Sequence, residues 1–268
     1  MARSFEDLVA EAAAESTEGW DFSWFDGRAT EERPSWGYAR SVVGRLPDAA
    51  AVLDVQTGGG EVFAEVLRST SRIPGVACAT ESWPPNVAVA RENLAAFGGV
   101  VVEVEDTSPL PFDDAAFDLV LSRHPTVVIW DEIARVLQPG GTYFSQQVGP
   151  GSNRELTDFM MGPQPVSESR SPDRAAAQAA TAGLEVVDLR RESLEVRFFD
   201  VGAVVYFLRK VLWTVPGFTV DGHHERLRAM HEHVQRHGSF VSHAQRFLIE
   251  ARKPVTNREA SVGGAFVP

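Results

Sequence analysis

A glycine-rich turn after an apolar run is the feature that most constrains the fold of this chain. Residues 52–55 are apolar apart from Asp54, and the glycines at 58–60 separate them from an amphipathic segment at 62–67. This order predicts a buried strand, a tight loop and a helix, because glycine lets the backbone bend sharply and lie close to a ligand. The N–H groups at the start of such a helix can bind a polar group. The sequence therefore predicts the opening of a nucleotide-binding βαβ unit.

Further elements follow at intervals that suit repeated βαβ units. Glu81 ends a second apolar run, and an acid at that point can accept hydrogen bonds from both ribose hydroxyls. The other predicted strands are 100–104, 117–122, 142–148 and 246–251, and residues 184–198 are predicted to form one or two more. The other predicted helices are 86–97, 130–137, 152–161, 174–182, 201–213 and 221–236.

This set of residues resembles the class I S-adenosylmethionine-dependent methyltransferases. The resemblance rests on LDVQTGGGE (53–61), Glu81, Asp106 before LPF (110–112), FDLVLS (117–122) and EIARVLQPGG (132–141). The chain also resembles a bacterial, methyltransferase type 11-like branch and, more distantly, the 23S rRNA guanine methyltransferases. The resemblance implies an α/β, Rossmann-like fold with helices on both faces of a seven-stranded, mostly parallel sheet in the order 3-2-1-4-5-7-6.

The resemblance also implies where the cofactor binds. Asp54 would order the glycine loop near the methionine end, Glu81 would bind the ribose, and Asp106 would bind the adenine amino group. The predicted cofactor-binding residues are Asp54, Gln56, Thr57, Gly58, Gly60, Glu61, Glu81, Ser82, Asp106, Thr107, Ser122 and Arg123. The expected cofactor is S-adenosyl-L-methionine, and its product is S-adenosyl-L-homocysteine. No metal is predicted, because the pair His233 and His237 lacks a motif that would complete a site.

Gln56 departs from the family's loop, which carries glycine at this position. Its side chain either turns away from the cofactor or binds the cofactor's carboxylate or amine through its amide. Gly58 and Gly60 keep the close approach of the backbone. Gln56 therefore prompts one alternative function, a cofactor-binding protein without catalysis.

His124 is the candidate catalytic residue, because it follows the fourth strand near the expected methyl donor. Its ordinary pKa suits a proton acceptor near neutral pH, but it could equally hold the loop or the cofactor by hydrogen bonds. Arg123 could bind a substrate acid or form a structural ion pair. One of Gln146 and Gln147 should point into the cleft.

The chain divides into three parts. Residues 1–46 form a predicted N-terminal helical and aromatic cap, residues 47–253 the cofactor-binding domain, and residues 254–268 a flexible tail. Within the domain, residues 151–240 supply substrate-side helices and an insertion between the last two strands. The rings of the cap either pack on the core or form a lid over the site; they are Trp20, Phe22, Trp24, Phe25, Trp36 and Tyr38.

Composition limits the partners. Lys+Arg 25 against Asp+Glu 37 gives a net charge of −12, which does not suit a phosphate backbone and argues against nucleic acid as a partner. The single cysteine, Cys78, lies in an apolar run and suits the reducing cytoplasm. Neither a signal peptide nor a membrane span is expected. A monomer or a homodimer is predicted.

These features favour a methyltransferase that acts on oxygen or nitrogen of a small-molecule metabolite. The acidic charge, the aromatic cap and the apolar helix at 201–213 support this class. The distant resemblance to rRNA enzymes keeps an rRNA or protein methyltransferase as an alternative, which a large positive face beside the cleft would support.

Overall fold

One eight-stranded sheet organises the chain in the computed structural model, which describes residues 3–17 and 22–255. The strands are β1 (Ala29–Glu31), β2 (Ala51–Asp54), β3 (Val76–Glu81), β4 (Val100–Glu103), β5 (Phe117–Arg123), β6 (Leu137–Val148), β7 (Glu185–Phe198) and β8 (Phe240–Arg252). The helices of the described residues are α1 (Phe5–Ala14), α2 (Tyr38–Val43), α3 (Glu61–Ser69), α4 (Pro84–Ala95), α5 (Trp130–Val136), α6 (Arg154–Met161), α7 (Pro172–Thr181), α8 (Val201–Lys210) and α9 (His224–His237).

The strand order is β1-β7-β8-β6-β5-β2-β3-β4. Strands β2, β3, β4, β5 and β6 form a parallel part of the sheet. Strand β8 is antiparallel to both of its neighbours, β6 and β7. Without β1, this is the predicted order 3-2-1-4-5-7-6, so the predicted fold class and strand order are confirmed. The predicted number of strands is wrong by one, because β1 adds an antiparallel edge strand to β7.

The extra strand comes from the segment that the sequence indicated as a helical cap. Ala29 lies opposite Phe198 and Glu31 opposite Val196, and Arg28 O accepts a hydrogen bond from Phe199 N at 2.8 Å. Three residues are too few for the alternating pattern that identifies a strand from sequence. The segment before β2 therefore contains α1 and α2 and also an edge of the sheet.

Most of the described aromatic rings of this segment pack on the core, whereas Phe22 is 41% exposed. The Trp24 ring lies 4.7 Å from the Tyr206 ring of α8, and Tyr38 stacks on Phe144 of β6 at 5.6 Å. Trp36 and Tyr38 are both buried. Trp20 lies outside the described residues, as does the predicted tail from residue 256 onwards.

The inserted helix α8 is shorter than predicted. It begins after Asp200, whose Oδ1 accepts a hydrogen bond from Ala203 N at 2.8 Å, as expected of an N-cap. It ends at Lys210 rather than at residue 213, and Leu212 and Trp213 are exposed by 65% and 52%. Apolar periodicity therefore continued past the true end of the helix.

Apolar clusters cover both faces of the sheet. Val52 and Leu121 pack with α2, α3 and α4 on one face, whereas Leu53 and Val120 pack with α5 and α7 on the other. This alternation is the period-two pattern of buried strands. Within the described ranges, no helix is long and apolar enough to cross a bilayer.

Candidate functional site

The carboxyl ends of β2, β3 and β5 meet at one edge of the sheet, where ligands bind in folds of this kind. The glycine loop follows β2 at this edge. Its backbone is tied to both neighbouring strands, because Val55 N donates to Leu121 O at 2.8 Å and Thr57 N to Thr80 O at 2.9 Å. These hydrogen bonds hold the backbone of the loop in a fixed position relative to β3 and β5.

Gly60 joins the loop to α3. It has a φ of +74°, and a Cβ at this position would lie 3.3 Å from the Cα and Cβ of Ala90 in α4. Glycine is needed both for the backbone conformation and for the close packing of the helices. Glu61, the first residue of α3, has an exposed side chain that folds over Gly59.

Asp54 is a buried carboxyl group at the end of β2. Its Oδ2 accepts a hydrogen bond from Thr57 Oγ1 at 2.6 Å. Burial raises the pKa of Asp54 to about 7, although the Thr57 hydroxyl and the charge of Arg123 act in the opposite direction. Asp54 is therefore poised to lose a proton when a cation binds beside it.

Glu81 links the glycine loop to β3. Its Oε2 accepts a hydrogen bond from Gly58 N at 2.8 Å, and its Oε1 accepts one from Trp83 N at 3.0 Å. Burial raises the pKa of Glu81 above its ordinary value. Each carboxylate oxygen retains a second lone pair, so further hydroxyl donors can be bound. Ser82 is half-buried directly after it.

The Gln56 side chain turns towards the loop that follows β5. Its Oε1 accepts hydrogen bonds from Thr126 N at 2.6 Å and from Thr126 Oγ1 at 3.1 Å, and its Nε2 donates to Val127 O at 2.8 Å. Gln56 also has a φ of 58°, a left-handed conformation that is costly for a residue with a side chain. Of the two orientations that the sequence left open, this geometry corresponds to the first.

Asp106 belongs to the same network, because Thr126 Oγ1 donates a short hydrogen bond to Asp106 Oδ2. Beside it is a small cavity of about 20 Å³, which is lined by Val55, Gln56, Asp106, Leu110, Ser122, Pro125, Val127, Val128, Ile129, Ile133 and Tyr143. Thr107 is exposed. The lining is mostly apolar with one carboxylate, and a volume of this size holds about one water molecule, so the cavity can form only part of a wall for a larger ligand.

Gln56→Gly should loosen the loop that follows β5 without unfolding the protein. The change removes three hydrogen bonds to Thr126 and Val127, and it relieves strain of about 1–2 kcal/mol. We expect the Thr126 amide to exchange with solvent at least about tenfold faster. Ala115→Gly is the matched control, because Ala115 also has a positive φ, 53°, and makes no side-chain hydrogen bonds. Equal Thr126 exchange in both variants would contradict the role of Gln56.

Ser122 is buried in a cluster of hydroxyl groups. Its Oγ lies 2.7 Å from Tyr143 Oη and 2.8 Å from Ser145 Oγ, and Gln147 Nε2 donates to Ser145 Oγ at 3.2 Å. Tyr143, Ser145 and Gln147 lie on β6, and sequence reasoning missed the first two. The cluster joins β5 to β6 beneath the cavity, and the Ser122 side chain reaches the cavity wall.

His124 ends a chain of three hydrogen-bonded side chains. Trp36 Nε1 donates to Gln146 Oε1 at 2.8 Å, and Gln146 Nε2 lies 2.8 Å from His124 Nε2. The indole can only donate, so the Gln146 amide must face His124 with its NH₂ group. His124 Nε2 is therefore the acceptor, and the neutral ring carries its proton on Nδ1.

The surroundings of His124 also keep the ring neutral. Burial, followed by the charges of Arg123 and Arg246, holds the pKa of His124 well below its ordinary value. Its backbone has a φ of 57°, and its N–H donates to Gln146 O at 2.7 Å. Acceptance of a proton by Nε2 would require the bond to Gln146 to break, so this geometry suits the holding role that the sequence left open.

Sequence reasoning missed Trp36 and Thr126 as site residues. Trp36 lies far from the other site residues in sequence, and the aromatic pattern around it predicts only a packing or lid role. Thr126 follows a positive-φ histidine and Pro125 in an irregular loop, where no periodic signal exists. Folding brings Trp36 into contact with Gln146 and Thr126 into contact with Gln56.

Among residues 3–17 and 22–255, no group of three or more His, Cys, Asp or Glu side chains is arranged to hold a metal ion. The rings of His233 and His237 lie 4.5 Å apart on α9. Burial lowers the pKa of His233.

Comparison with known proteins identifies the centre of the chain. Residues 53–145 match the methyltransferase domain family. The ubiquinone/menaquinone biosynthesis C-methyltransferase UbiE of Geobacter sulfurreducens is 33% identical over 107 residues, which are 36% of this chain and 41% of that protein. The chain therefore spans about two fifths of the length of this curated relative.

Solved structures share the fold over a longer range. A Bacillus halodurans protein described as a candidate methyltransferase is 20% identical, with a TM-score of 0.53 over 80% of this chain and 99% of that one. A Deinococcus radiodurans R1 protein is 16% identical, with a TM-score of 0.58 over 84% of this chain and 90% of that one. A Haemonchus contortus phosphoethanolamine N-methyltransferase bound to S-adenosylhomocysteine is 15% identical, with a TM-score of 0.52 over 94% and 61% of the two chains.

The matched residues 53–145 begin within β2 and end within β6, and they include Asp54, Glu81, Asp106 and His124. The sheet order and the loop at the carboxyl end of β2 agree with this match. Residues 53–145 are therefore similar to the methyltransferase domain family, on a fold that the chain shares with solved structures.

Proposed function

We propose that this chain transfers a methyl group from S-adenosylmethionine to oxygen or nitrogen of a small-molecule metabolite. The observation that carries the proposal is the row of three carboxyl groups, Asp54, Glu81 and Asp106, after neighbouring strands at one edge of the sheet. Their spacing suits the methionine, ribose and adenine parts of one extended cofactor. The net charge of −12 supports a small acceptor rather than a nucleic acid.

The residues of the chain would hold the cofactor as follows. Glu81 would accept hydrogen bonds from the ribose hydroxyls with the lone pairs that Gly58 N and Trp83 N leave open. Asp106 would accept a hydrogen bond from the adenine amino group beside the apolar cavity wall. Asp54 would carry negative charge near the cationic methionine end. Thr57, Gly60, Glu61, Ser82, Thr107 and Ser122 would complete the site.

Positioning supplies most of the catalysis in this proposal. The methyl group of the cofactor is bonded to a positively charged sulfur, so it is already electrophilic and is transferred by in-line displacement. The neutral His124 would hold the acceptor by donating from Nδ1. It could act as a base only after the bond between its Nε2 and Gln146 is broken. We place the reaction in the cytoplasm and propose a monomer or homodimer.

Glu81→Ala should weaken binding of S-adenosylhomocysteine by about 1–3 kcal/mol, because the ribose loses its acceptor and the glycine loop loses its tie to β3. Isothermal titration calorimetry measures the loss. Glu65→Ala, at an exposed position of α3, is the control and should bind as tightly as the wild type.

Two results would count against the proposal. Wild-type affinity in Glu81→Ala would remove the ribose role of Glu81. Failure of the wild-type protein to bind either S-adenosylmethionine or S-adenosylhomocysteine would remove the proposed function. A metabolite library with formation of S-adenosylhomocysteine as the readout then identifies the acceptor.

A further inference from the structure

Two arginines and a glutamine extend the same face of the sheet at its carboxyl edge. Leu121, Phe144 and Leu248 belong to the apolar cluster on the α2 side, in adjacent strands β5, β6 and β8. Side chains two residues apart in a strand point to the same face. The residues that follow at that spacing towards the carboxyl edge are Arg123, Gln146 and Arg246.

His124 adds a hydrogen-bond donor to this edge. The chain from Trp36 through Gln146 places the proton of the ring on Nδ1. Within the described residues, Nδ1 has no hydrogen-bond partner. We call Arg123, His124 and Arg246 the donor rim, because a guanidinium group can only donate hydrogen bonds and because His124 Nε2 already accepts one from Gln146, which leaves the Nδ1–H group as a donor.

The donor rim carries one positive charge in excess. The Arg246 side chain is only 10% exposed, and its charge is compensated by Glu31 Oε1 at 2.7 Å. Arg123 is exposed at the end of β5, and within residues 3–17 and 22–255 no carboxylate forms an ion pair with it. The other ionisable groups that face Arg123 are Asp54 and Tyr38.

The pKa shifts of Asp54 and Arg246 agree with an excess of positive charge at the donor rim. The charge of Arg123 lowers the pKa of Asp54, although burial raises it to about 7 overall, so Asp54 is only partly ionised at neutral pH. Burial lowers the pKa of Arg246, and repulsion by Arg123 adds to the effect. In a chain with a net charge of −12, an exposed cation beside a second cation is an arrangement that favours an anionic ligand.

We propose that the donor rim binds a carboxylate of the methyl acceptor, with Arg123 as its ion-pair partner and His124 Nδ1 as a further donor. The planar guanidinium matches a carboxylate through two parallel hydrogen bonds. One uncompensated charge suits a monoanion rather than a phosphate dianion. The inference rests on the proposed function, because it assigns the substrate class of the same site.

The test uses the full chain saturated with S-adenosylhomocysteine and titrated with benzoate, with the neutral isostere benzamide and with inorganic phosphate. Nuclear magnetic resonance signals of the Trp36 indole and the His124 ring report binding at the rim. We expect benzoate to bind at least about tenfold tighter than benzamide and than phosphate. Equal affinity for benzamide would overturn the inference, and tighter binding of phosphate would overturn the choice of a carboxylate.

Variants of Arg123 identify the ion pair. Arg123→Gln should weaken benzoate binding at least about tenfold, whereas Arg123→Lys should retain part of the affinity because the charge remains. Arg252→Gln, at an exposed position at the opposite end of the sheet, should bind benzoate as the wild type does. Unchanged benzoate affinity in Arg123→Gln would overturn the inference.

Calorimetry with S-adenosylhomocysteine separates the two proposals. Arg123→Gln should bind this product as the wild type does. A loss of product affinity with unchanged benzoate affinity would assign Arg123 to the cofactor, as the family resemblance implied, and would overturn the acceptor role. Absence of product binding in the wild type would instead remove the proposed function.

Discussion

Gly58→Val should abolish cofactor binding, with an affinity at least about a hundredfold below that of the wild type. Gly58 has a φ of +65°, a conformation that a β-branched residue adopts only with strain. Its N–H donates to Glu81 Oε2 at 2.8 Å, so a displaced backbone would also move the proposed ribose acceptor. The new side chain would enter the space that the loop leaves for the ligand. Calorimetry with S-adenosylhomocysteine measures the effect.

Gly98→Val provides a matched control for this change. Gly98 has nearly the same φ, +66°, and a Cβ added there meets no atom within 4 Å. The variant should therefore carry similar backbone strain at the end of α4 and lose similar stability, yet it should bind the cofactor normally. Tight cofactor binding by Gly58→Val would show that the ligand lies elsewhere.

Cofactor affinity should depend on pH through Asp54. The folded-state pKa of Asp54 is raised from 3.8 to about 7, so the group contributes stability that is present below 3.8 and lost as the pH rises through 7. A cationic ligand reverses this preference, because it favours the ionised carboxylate. Affinity for S-adenosylmethionine should therefore fall about tenfold between pH 8 and pH 6.

Asp54→Asn tests the origin of this pH dependence. The amide oxygen can still accept the hydrogen bond from Thr57, but the group no longer titrates. The variant should bind more weakly at pH 8 and show a flat profile between pH 6 and pH 8. Calorimetry in buffers with different ionisation enthalpies should detect proton release for the wild type alone. The same profile in both proteins would show that another group titrates.

The sequence predicted the main parts of the fold for physical reasons. Strands β2, β3 and β5 are buried on both faces, so their residues form continuous apolar runs that end at charged residues such as Asp54 and Glu81. The short edge strand β1 gives no such signal, because only one side of it pairs with β7. The end of α8 was placed too late because Leu212 and Trp213 are apolar but exposed.

The site could be predicted only in part. Residues next to the glycine loop follow from local sequence, because strand ends and turns are local features. The partners of Gln56 and His124 are not local: Thr126 lies 70 residues after Gln56, and Trp36 lies 110 residues before Gln146. Hydrogen bonds of this kind depend on the packing of several elements, so no pattern in one stretch of sequence predicts them.

The position of β8 in the sheet affects how the protein folds. Along the chain β8 is the last strand of the described residues, but in the sheet it lies between β6 and β7 and pairs with both. A nascent chain that has emerged only as far as residue 239 would therefore present two long strands with unpaired edges, which are templates for aggregation. Closure of the sheet is a late, non-local event, because β6 must wait about a hundred residues for its second neighbour.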